Sequence, residues 1–239
     1  EEMFRSMYLE ATAEKYGFTR KEQDDYAITS LTRAQNAATS GHFADEITPV
    51  TYATRKGDVT IDADEQPPKS KPEKIPTLRP AFAKDGTVTA AHSASISDGA
   101  AALVMMRASE AQKRGLKPLA KIVGQATHAQ EPCWFTTAPI DAIKKVLGKT
   151  GWSVGDVDLW EINEAFAVVA MAAMRDLELD HDKVNVHGGA CALGHPIGAT
   201  GARLLVTLIH ALKTHGGTKG VASLCIGGGE ATAVAIELI

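Results

Sequence analysis

From residue 116 onward the chain alternates short apolar runs with longer ones of helical period, and that alternation limits its fold more than any other feature. Residues 120–124 read as strand, 139–148 as helix, 157–162 as strand and 165–176 as helix. Residues 184–186 follow as strand, 198–214 as helix, and 220–225 and 232–239 as strands. Strands and helices in this order build a layered α/β domain, which binds ligands at the carboxyl ends of its strands.

One stretch inside this series is built differently. Residues 185–203 hold five glycines in nineteen positions, too many for a helix or strand interior, where each costs about 0.5–1 kcal/mol relative to Ala. They read as a shaped loop that delivers His195 just ahead of a helix N-terminus, with Gly188, Gly189 and Gly194 admitting close approach to the backbone.

The part before residue 116 is more varied. Residues 7–40 read as two helices separated at Tyr16-Gly17-Phe18. Thr19 and Glu22 form a capping box for the second, and Tyr26, Ala27, Leu31, Ala34 and Ala38 make its buried stripe. Gly41 ends it. Residues 46–61 read as a hairpin turning at Lys56-Gly57-Asp58. Pro67, Pro68, Pro72, Pro76 and Pro80 break regular structure from 62 to 80, and Lys69, Lys71, Lys74 and Arg79 lie among them, as a solvated loop or an anchor for an anionic ligand. Residues 87–106 are rich in small side chains and end in a strand-like run, 101–106. His92 within them reads as a structural histidine, and residues 109–116 as a short helix ending at Gly115.

Composition narrows the function classes. A chain of 239 residues with 44 % hydrophobic and 23 % charged residues has an ordinary globular make-up. A net charge of -4 argues against a nucleic-acid partner, and no apolar run is long enough to span a membrane. Residues 1–6 are acidic at the start and do not read as a secretory signal. Three cysteines without CxxC spacing suggest neither a disulfide framework nor a zinc site, and eight scattered histidines suggest no metal. A reducing, cytoplasmic compartment fits this usage best.

Three strand ends carry unusual groups. One runs into Asn163-Glu164-Ala165-Phe166, one into the His195 loop, and one ends at Cys225 before Gly227-Gly228-Gly229. Asn163 alone reads equally as a helix cap and Cys225 alone as an inert core thiol. Together they set an amide, an imidazole and a thiol on one rim with glycines clearing space. A thiol beside an imidazole serves as nucleophile or proton carrier, and amide and backbone N–H groups stabilise an oxyanion. Acyl transfer with enolate chemistry at a thioester uses all three.

Asn163-Glu164-Ala165-Phe166, Gly188-Gly189-Ala190 with Gly194-His195-Pro196-Ile197-Gly198, and Cys225-Ile226-Gly227-Gly228-Gly229 resemble the three C-terminal catalytic motifs of the thiolases, especially those acting on acetyl-CoA. Arg55-Lys56-Gly57-Asp58, Leu78-Arg79-Pro80-Ala81-Phe82 and Asp98-Gly99-Ala100-Ala101-Ala102 extend the resemblance over nearly the whole chain.

The resemblance implies a layered α/β/α/β/α fold, of which this chain is the C-terminal half plus an inserted CoA-binding loop domain. Residues 1–83 would be the loop domain, 84–115 the end of the N-terminal domain, and 116–239 the C-terminal domain. It implies Claisen condensation of two acetyl-CoA to acetoacetyl-CoA and the reverse thiolysis, through an acyl-cysteine. His195 would activate the nucleophile and Cys225 would exchange protons with substrate. Asn163, through a water, would form one oxyanion hole with His195, and the Gly227 backbone would serve the other. Neither Cys133 nor Cys191 lies in a nucleophile-like context, so the nucleophile is expected in an N-terminal half outside these residues, and the chain alone is expected to be inactive. A degradative 3-ketoacyl-CoA thiolase of broader chain length, or a non-catalytic CoA-binding subunit, is the alternative.

For substrate binding the resemblance implies Lys69, Lys71 and Lys74 at the phosphates of CoA, Phe82 beside its adenine or pantetheine, and Ala90, Ala94, Ile96 and Phe166 along the pantetheine tunnel. Three positions depart from the family pattern. Ala94 stands where a serine often contacts pantetheine, which moves that contact to Ser93 or Ser95; Phe135 stands where a Met often borders the acyl pocket; His187 replaces a frequent Asn. Coenzyme A thioesters are substrates, no cofactor or metal is implied, and the family assembles as dimers or tetramers. The compartment follows as cytoplasmic, with mitochondrion and peroxisome as alternatives.

Overall fold

The computed structural model describes the backbone of residues 2–239 and the side chains of 8–239. The residues read above as lacking a signal, 1–6, therefore lie outside the described side chains. Two helices open the chain, α1 (Glu2–Tyr16) and α2 (Arg20–Thr39). The capping box forms as expected: the Thr19 hydroxyl accepts from the Glu22 N–H, and the Glu22 carboxylate accepts from the Thr19 N–H at 2.7 Å. The buried stripe of α2 differs from the sequence reading at one position. Ala37 is buried and Ala38 is exposed, because the stripe steps by three from Leu31 through Ala34 rather than by four. Gln23, Asp24 and Ser30 are buried in the same face.

Strands β1 (Val50–Thr54) and β2 (Gly57–Ile61) pair antiparallel as an exposed hairpin, and Gly57 supplies the left-handed turn residue with φ 113°. The proline-rich segment contains only a single helical turn, α3 (Gln66–Lys69), and a 3-10 turn over Pro72–Thr77. Residues 101–106 do not form the expected strand. They form no regular element and have no ladder partner among the described residues, with Val104 90 % exposed. Helix α4 (Ala108–Lys113) follows, then Gly115 at φ 65°.

The C-terminal part is organised by one sheet. Its strands β3 (Ala120–Ala129), β4 (Leu159–Ile162), β5 (Lys219–Ile226) and β6 (Glu230–Leu238) lie in the order β3-β6-β5-β4. Only β4 and β5 are parallel; β5 turns back into β6 at the triple glycine, and β3 pairs antiparallel with β6. The expected strand at 184–186 is reduced to one bridge, Val184 to Trp160.

Helices α5 (Ala138–Thr150) and α6 (Ala167–Asp176) cover one face of the sheet. After the short α7 (Ala190–Leu193), helix α8 (Thr200–His215) covers the other. Period-two alternation sorts the side chains: Trp160 and Ile162 face α5 and α6, whereas Leu159 and Ala222 face α8. Ala231, Ala233 and Ala235 are fully buried and let the α5 side approach closely, while Leu204, Leu208 and Leu212 of α8 fill the opposite layer. Each buried leucine contributes roughly 2 kcal/mol. Asn163 and Cys225 are thereby held at the carboxyl ends of neighbouring parallel strands.

Candidate active site

Asn163 follows β4 directly. Its N–H donates to the Ser223 carbonyl at 2.9 Å, continuing the parallel ladder one step beyond the strand. The side chain is fully buried, with Nδ2 3.4 Å from His195 Nε2 and with Oδ1 lacking a protein partner. A buried amide oxygen left unpaired is costly, so this one is set up to accept from a bound water or substrate.

The glycine loop is fastened at its start by Asn185. Its side-chain oxygen accepts from the Ile162 N–H and its Nδ2 donates to the Ile162 carbonyl, both at 2.8 Å, so the amide imitates a strand neighbour for β4. Asn185 takes the left-handed conformation, φ 49°, which Asn tolerates better than most residues. At Gly188 a Cβ would strike the Ser30 carbonyl of α2, and at Gly189 one would overlap the Glu164 carboxylate. Both glycines are therefore required by neighbours packed against the loop.

His195 is held from both sides. Its N–H donates to the Ser95 carbonyl at 2.9 Å, and its Nδ1 lies 2.6 Å from Thr200 Oγ1. The Thr200 hydroxyl gives its one hydrogen to the Pro196 carbonyl at 3.0 Å. It must then accept from Nδ1–H, which leaves the lone pair of Nε2 facing Asn163. Burial lowers the His195 pKa from its ordinary value, and the charge of Arg203 lowers it further, so the ring is a neutral base at pH 7.

Cys225 occupies the penultimate position of β5. It is buried with Phe135, Val88 and Val169, and burial pushes its thiol up to about 12. The turn after it closes with Gly229 at φ 104°, its N–H donating to the Ile226 carbonyl and its own carbonyl accepting from the Gln130 N–H. Gly227 is exposed in this turn.

The segment 93–96 runs past the stretches that carry Asn163 and His195. Ser93 bridges Phe166, the Ala94 N–H donates to the Ala165 carbonyl at 3.1 Å, and Ile96 bridges His195. Phe82, Phe166 and Phe135 meet edge to face, with centroids 6.3 and 6.4 Å apart in sequence. Phe135 is buried beside Cys225, whereas Phe82 is 40 % exposed. Ile96, expected along the tunnel, pairs its backbone with His195 and has its side chain 87 % exposed. The Ser93 hydroxyl is engaged by the Thr89 carbonyl.

The three lysines separate. Lys69 pairs with Glu65 at 3.3 Å, one turn away in the chain. Lys71 and Lys74 line a cavity of about 230 Å³ with Ala90, Ala91 and Cys191. His92 is buried, taking the Thr89 N–H on Nδ1 and facing Asp24 at 2.8 Å on Nε2, as a structural histidine would. The other cysteines sit apart from the imidazole's partners. Cys191 Sγ is 3.7 Å from the Glu164 carbonyl, its thiol pushed well above its ordinary range by burial and the Glu164 charge, and Cys133 Sγ is 3.7 Å from Glu131. No group of three or more metal-ligating side chains is arranged to hold an ion among the described residues. No helix there is long and apolar enough to cross a membrane.

Two side chains that hold this geometry escaped the sequence reading. Thr200 orients His195 from five positions away, a spacing that only the turn at Pro196 brings together. Glu164 lay inside a quoted motif, but its partners Tyr26, Ser30, Asn185 and Cys191 are distant in sequence.

Comparison with known proteins fits this geometry. Residues 1–109 match the family described as Thiolase, N-terminal domain, and residues 116–238 the one described as Thiolase, C-terminal domain. An acetyl-CoA acetyltransferase of Rhizobium meliloti is 50 % identical over 229 residues, covering 95 % of this chain and 58 % of that protein. The crystal structure of the Bacillus anthracis acetyl-CoA acetyltransferase superimposes with a TM-score of 0.95 at 46 % identity, over 98 % of this chain and 60 % of that one. That of human mitochondrial 3-ketoacyl-CoA thiolase does so with a TM-score of 0.91 at 40 % identity, over 98 % and 59 %. The chain thus spans somewhat under two thirds of the length of these relatives.

Proposed function

The chain belongs to the thiolase family, and from that premise we propose that it supplies most of the active site of an acetyl-CoA C-acetyltransferase. The observation that carries this reading is the pairing of Asn163 Nδ2 with His195 Nε2 at 3.4 Å beside a buried, unpartnered Asn163 Oδ1, at the ends of the strands that also carry Cys225.

In the thiolysis direction His195 Nε2 takes the proton of a nucleophilic cysteine, whose sulfur attacks C3 of acetoacetyl-CoA. The C2–C3 bond breaks and its electron pair passes to C2 as the enolate of acetyl-CoA. The high pKa of Cys225 keeps its proton on sulfur until this strongly basic carbon forms, and transfer of that proton to C2 releases acetyl-CoA. The resulting Cys225 thiolate takes the proton of incoming CoA, whose sulfur removes the acetyl group from the nucleophile, and the protonated His195 returns its proton to the departing cysteine thiolate. His195 and Asn163, the latter through a water on Oδ1, stabilise the thioester enolate oxygen, and backbone N–H groups around Gly227 serve the tetrahedral oxyanion. Condensation runs the same steps in reverse.

The nucleophile belongs to a segment beyond these residues in this reading, since Cys191 is packed on Glu164 and Cys133 lies beside an acid. Residues 1–83 act as the CoA-binding loop domain, with Lys71 and Lys74 as point charges for phosphate, 84–115 as the close of the N-terminal domain, and 116–239 as the C-terminal domain. Self-association as a dimer or tetramer and a cytoplasmic setting, supported by three free cysteines, belong to the same reading.

Phe135 favours a short acyl group over the longer chains of a degradative enzyme, because its buried ring fills space beside Cys225. Thiolysis of acetoacetyl-CoA and 3-ketooctanoyl-CoA by the chain assembled with a segment that carries the nucleophilic cysteine tests the reading: a clear preference for acetoacetyl-CoA is expected, equal rates would overturn the short-chain assignment, and no thiolysis of either by that assembly would overturn the enzyme.

A further inference from the structure

The loop that delivers His195 is made largely of glycine and alanine, which bring few side chains with which to hold a shape. What it encloses is a carboxylate. Glu164 is fully buried and follows Asn163 directly in the chain. It accepts four hydrogen bonds: from Tyr26 Oη at 2.8 Å and Ser30 Oγ at 2.7 Å, one turn apart on α2; from Asn185 Nδ2 at 2.9 Å, at the start of the loop; and from the Cys191 N–H at 3.0 Å, past its two glycines. Ser30 Oγ in turn accepts from the Gly189 N–H at 3.0 Å, so the glycine pair is tied to the same centre.

We propose that Glu164 is a positioning residue for the acyl-transfer site, an internal template around which the loop 185–194 closes and which thereby sets His195 against Asn163. The two catalytic groups lie on different elements, Asn163 on the end of β4 and His195 at the end of the loop. Glu164 is covalently next to the first and hydrogen-bonded along the second. Only an anion satisfies all four donors at once, since a neutral amide presents two hydrogens of its own to the same neighbours. A displaced loop opens the 3.4 Å approach of Asn163 Nδ2 to His195 Nε2 and frees the ring to change tautomer, although Glu164 touches neither substrate nor imidazole. The kinetic consequence rests on the acetyltransferase reading.

The test compares the parent chain with Glu164→Gln, each assembled with a segment that carries the nucleophilic cysteine for the kinetic readout. For acetoacetyl-CoA thiolysis, kcat is expected to fall at least tenfold with KM within twofold. In ring-nitrogen NMR, His195 is expected to lose its single Nδ1–H tautomer, and the Cys191 amide to exchange with solvent at least tenfold faster. Unchanged kcat, or a His195 ring and Cys191 amide that behave as in the parent, would overturn the proposal. If Glu164→Gln does not fold, Tyr26→Phe and Ser30→Ala each remove one donor and leave the carboxylate. Each is then expected to lower kcat two- to fivefold and to speed Cys191 exchange, the pair more than either alone, and parental values in both would equally overturn it. No thiolysis by the parent assembled with the nucleophile-bearing segment would refute the functional reading while leaving the NMR and exchange measurements to decide the template.

Discussion

Two stretches of this chain look alike on paper and fold in opposite ways. Residues 185–194 and 93–106 are both dominated by glycine, alanine and serine, and both run past His195. The first is almost entirely buried and wrapped around Glu164, whereas the second leaves Ile96, Val104 and Met105 exposed and forms no ladder over 101–106. Small residues permit a tight path without choosing one. The enclosed stretch is chosen by what it closes upon, a carboxylate with four donors and a helix carrying Ser30, and the open stretch has only two backbone bridges, at Ser93 and Ile96. Enclosure is thus the variable to break, and its consequences are expected to follow burial rather than proximity to the imidazole.

The largest difference is expected between two residues that bridge each other. His195→Asn removes the base and is expected to lower kcat about a thousandfold, with a thermal midpoint close to the parent's. Ile96, its backbone partner, has its side chain in solvent, and Ile96→Ala is expected to keep kcat within about twofold. Steady-state thiolysis of each variant assembled with the nucleophile-bearing segment, with scanning calorimetry on the same preparations, reads both, and a tenfold loss for Ile96→Ala would mean that the open stretch is covered during turnover.

Next comes the fit of the enclosed loop itself. Gly189→Ala drives a methyl into the Glu164 carboxylate and is expected to cost roughly 2–4 kcal/mol in denaturant unfolding, whereas Gly198→Ala, at a position with open space around a Cβ, is expected to change stability by less than about 1 kcal/mol. Equal effects would show that the loop yields around its anion.

The enclosed loop also carries a pH dependence. His187 is buried between Asn185 and Gly188, its ring tilted against that of His42 and its Nε2 3.3 Å from His215 Nε2, and burial with the two neighbouring histidines lowers its pKa to about 4. A histidine depressed in the folded state binds its proton more readily unfolded. The stability it secures is complete above the ordinary value near 6.5 and is lost as pH falls through 6.5 towards 4, by up to about 3 kcal/mol. Unfolding free energies of the parent should drop across that window, and His187→Asn should flatten the drop. A parent curve level from pH 7 to 4 would contradict the buried, neutral ring.

Much of the fold was legible because it depends on local pattern. The Thr19–Glu22 capping box, the Gly57 turn and the helix over Leu204, Leu208 and Leu212 follow from spacing alone. The meeting of Asn163 with His195 was legible as strand-end chemistry and as a family motif, and the structure puts the two side chains together. What spacing did not show was set by partners distant in sequence. Ala37 replaces Ala38 in the α2 stripe because of how the helix lies on the loop, β3 pairs antiparallel with β6 from the other end of the domain, and Glu164 gathers donors from residues 26, 30, 185 and 191. Residues 101–106 have strand composition, but a strand needs a neighbour to pair with, and among the described residues they have none.

That absence gives the smallest and most discriminating expectation. Val104 is 90 % exposed, so almost no apolar area leaves water when this chain folds, and Val104→Ser is expected to shift its unfolding free energy by less than about 0.5 kcal/mol. The buried counterpart, Val169→Ser in α6, lies in the cluster with Cys225 and Phe135 and is expected to lose several times more, because a methyl-lined cavity and an unpaired hydroxyl are created together. Measured on this 239-residue chain by urea denaturation, a Val104 effect approaching that of Val169 would mean that the open stretch is covered in solution, and the contrast between the two small-residue segments would then be one of partner rather than of enclosure.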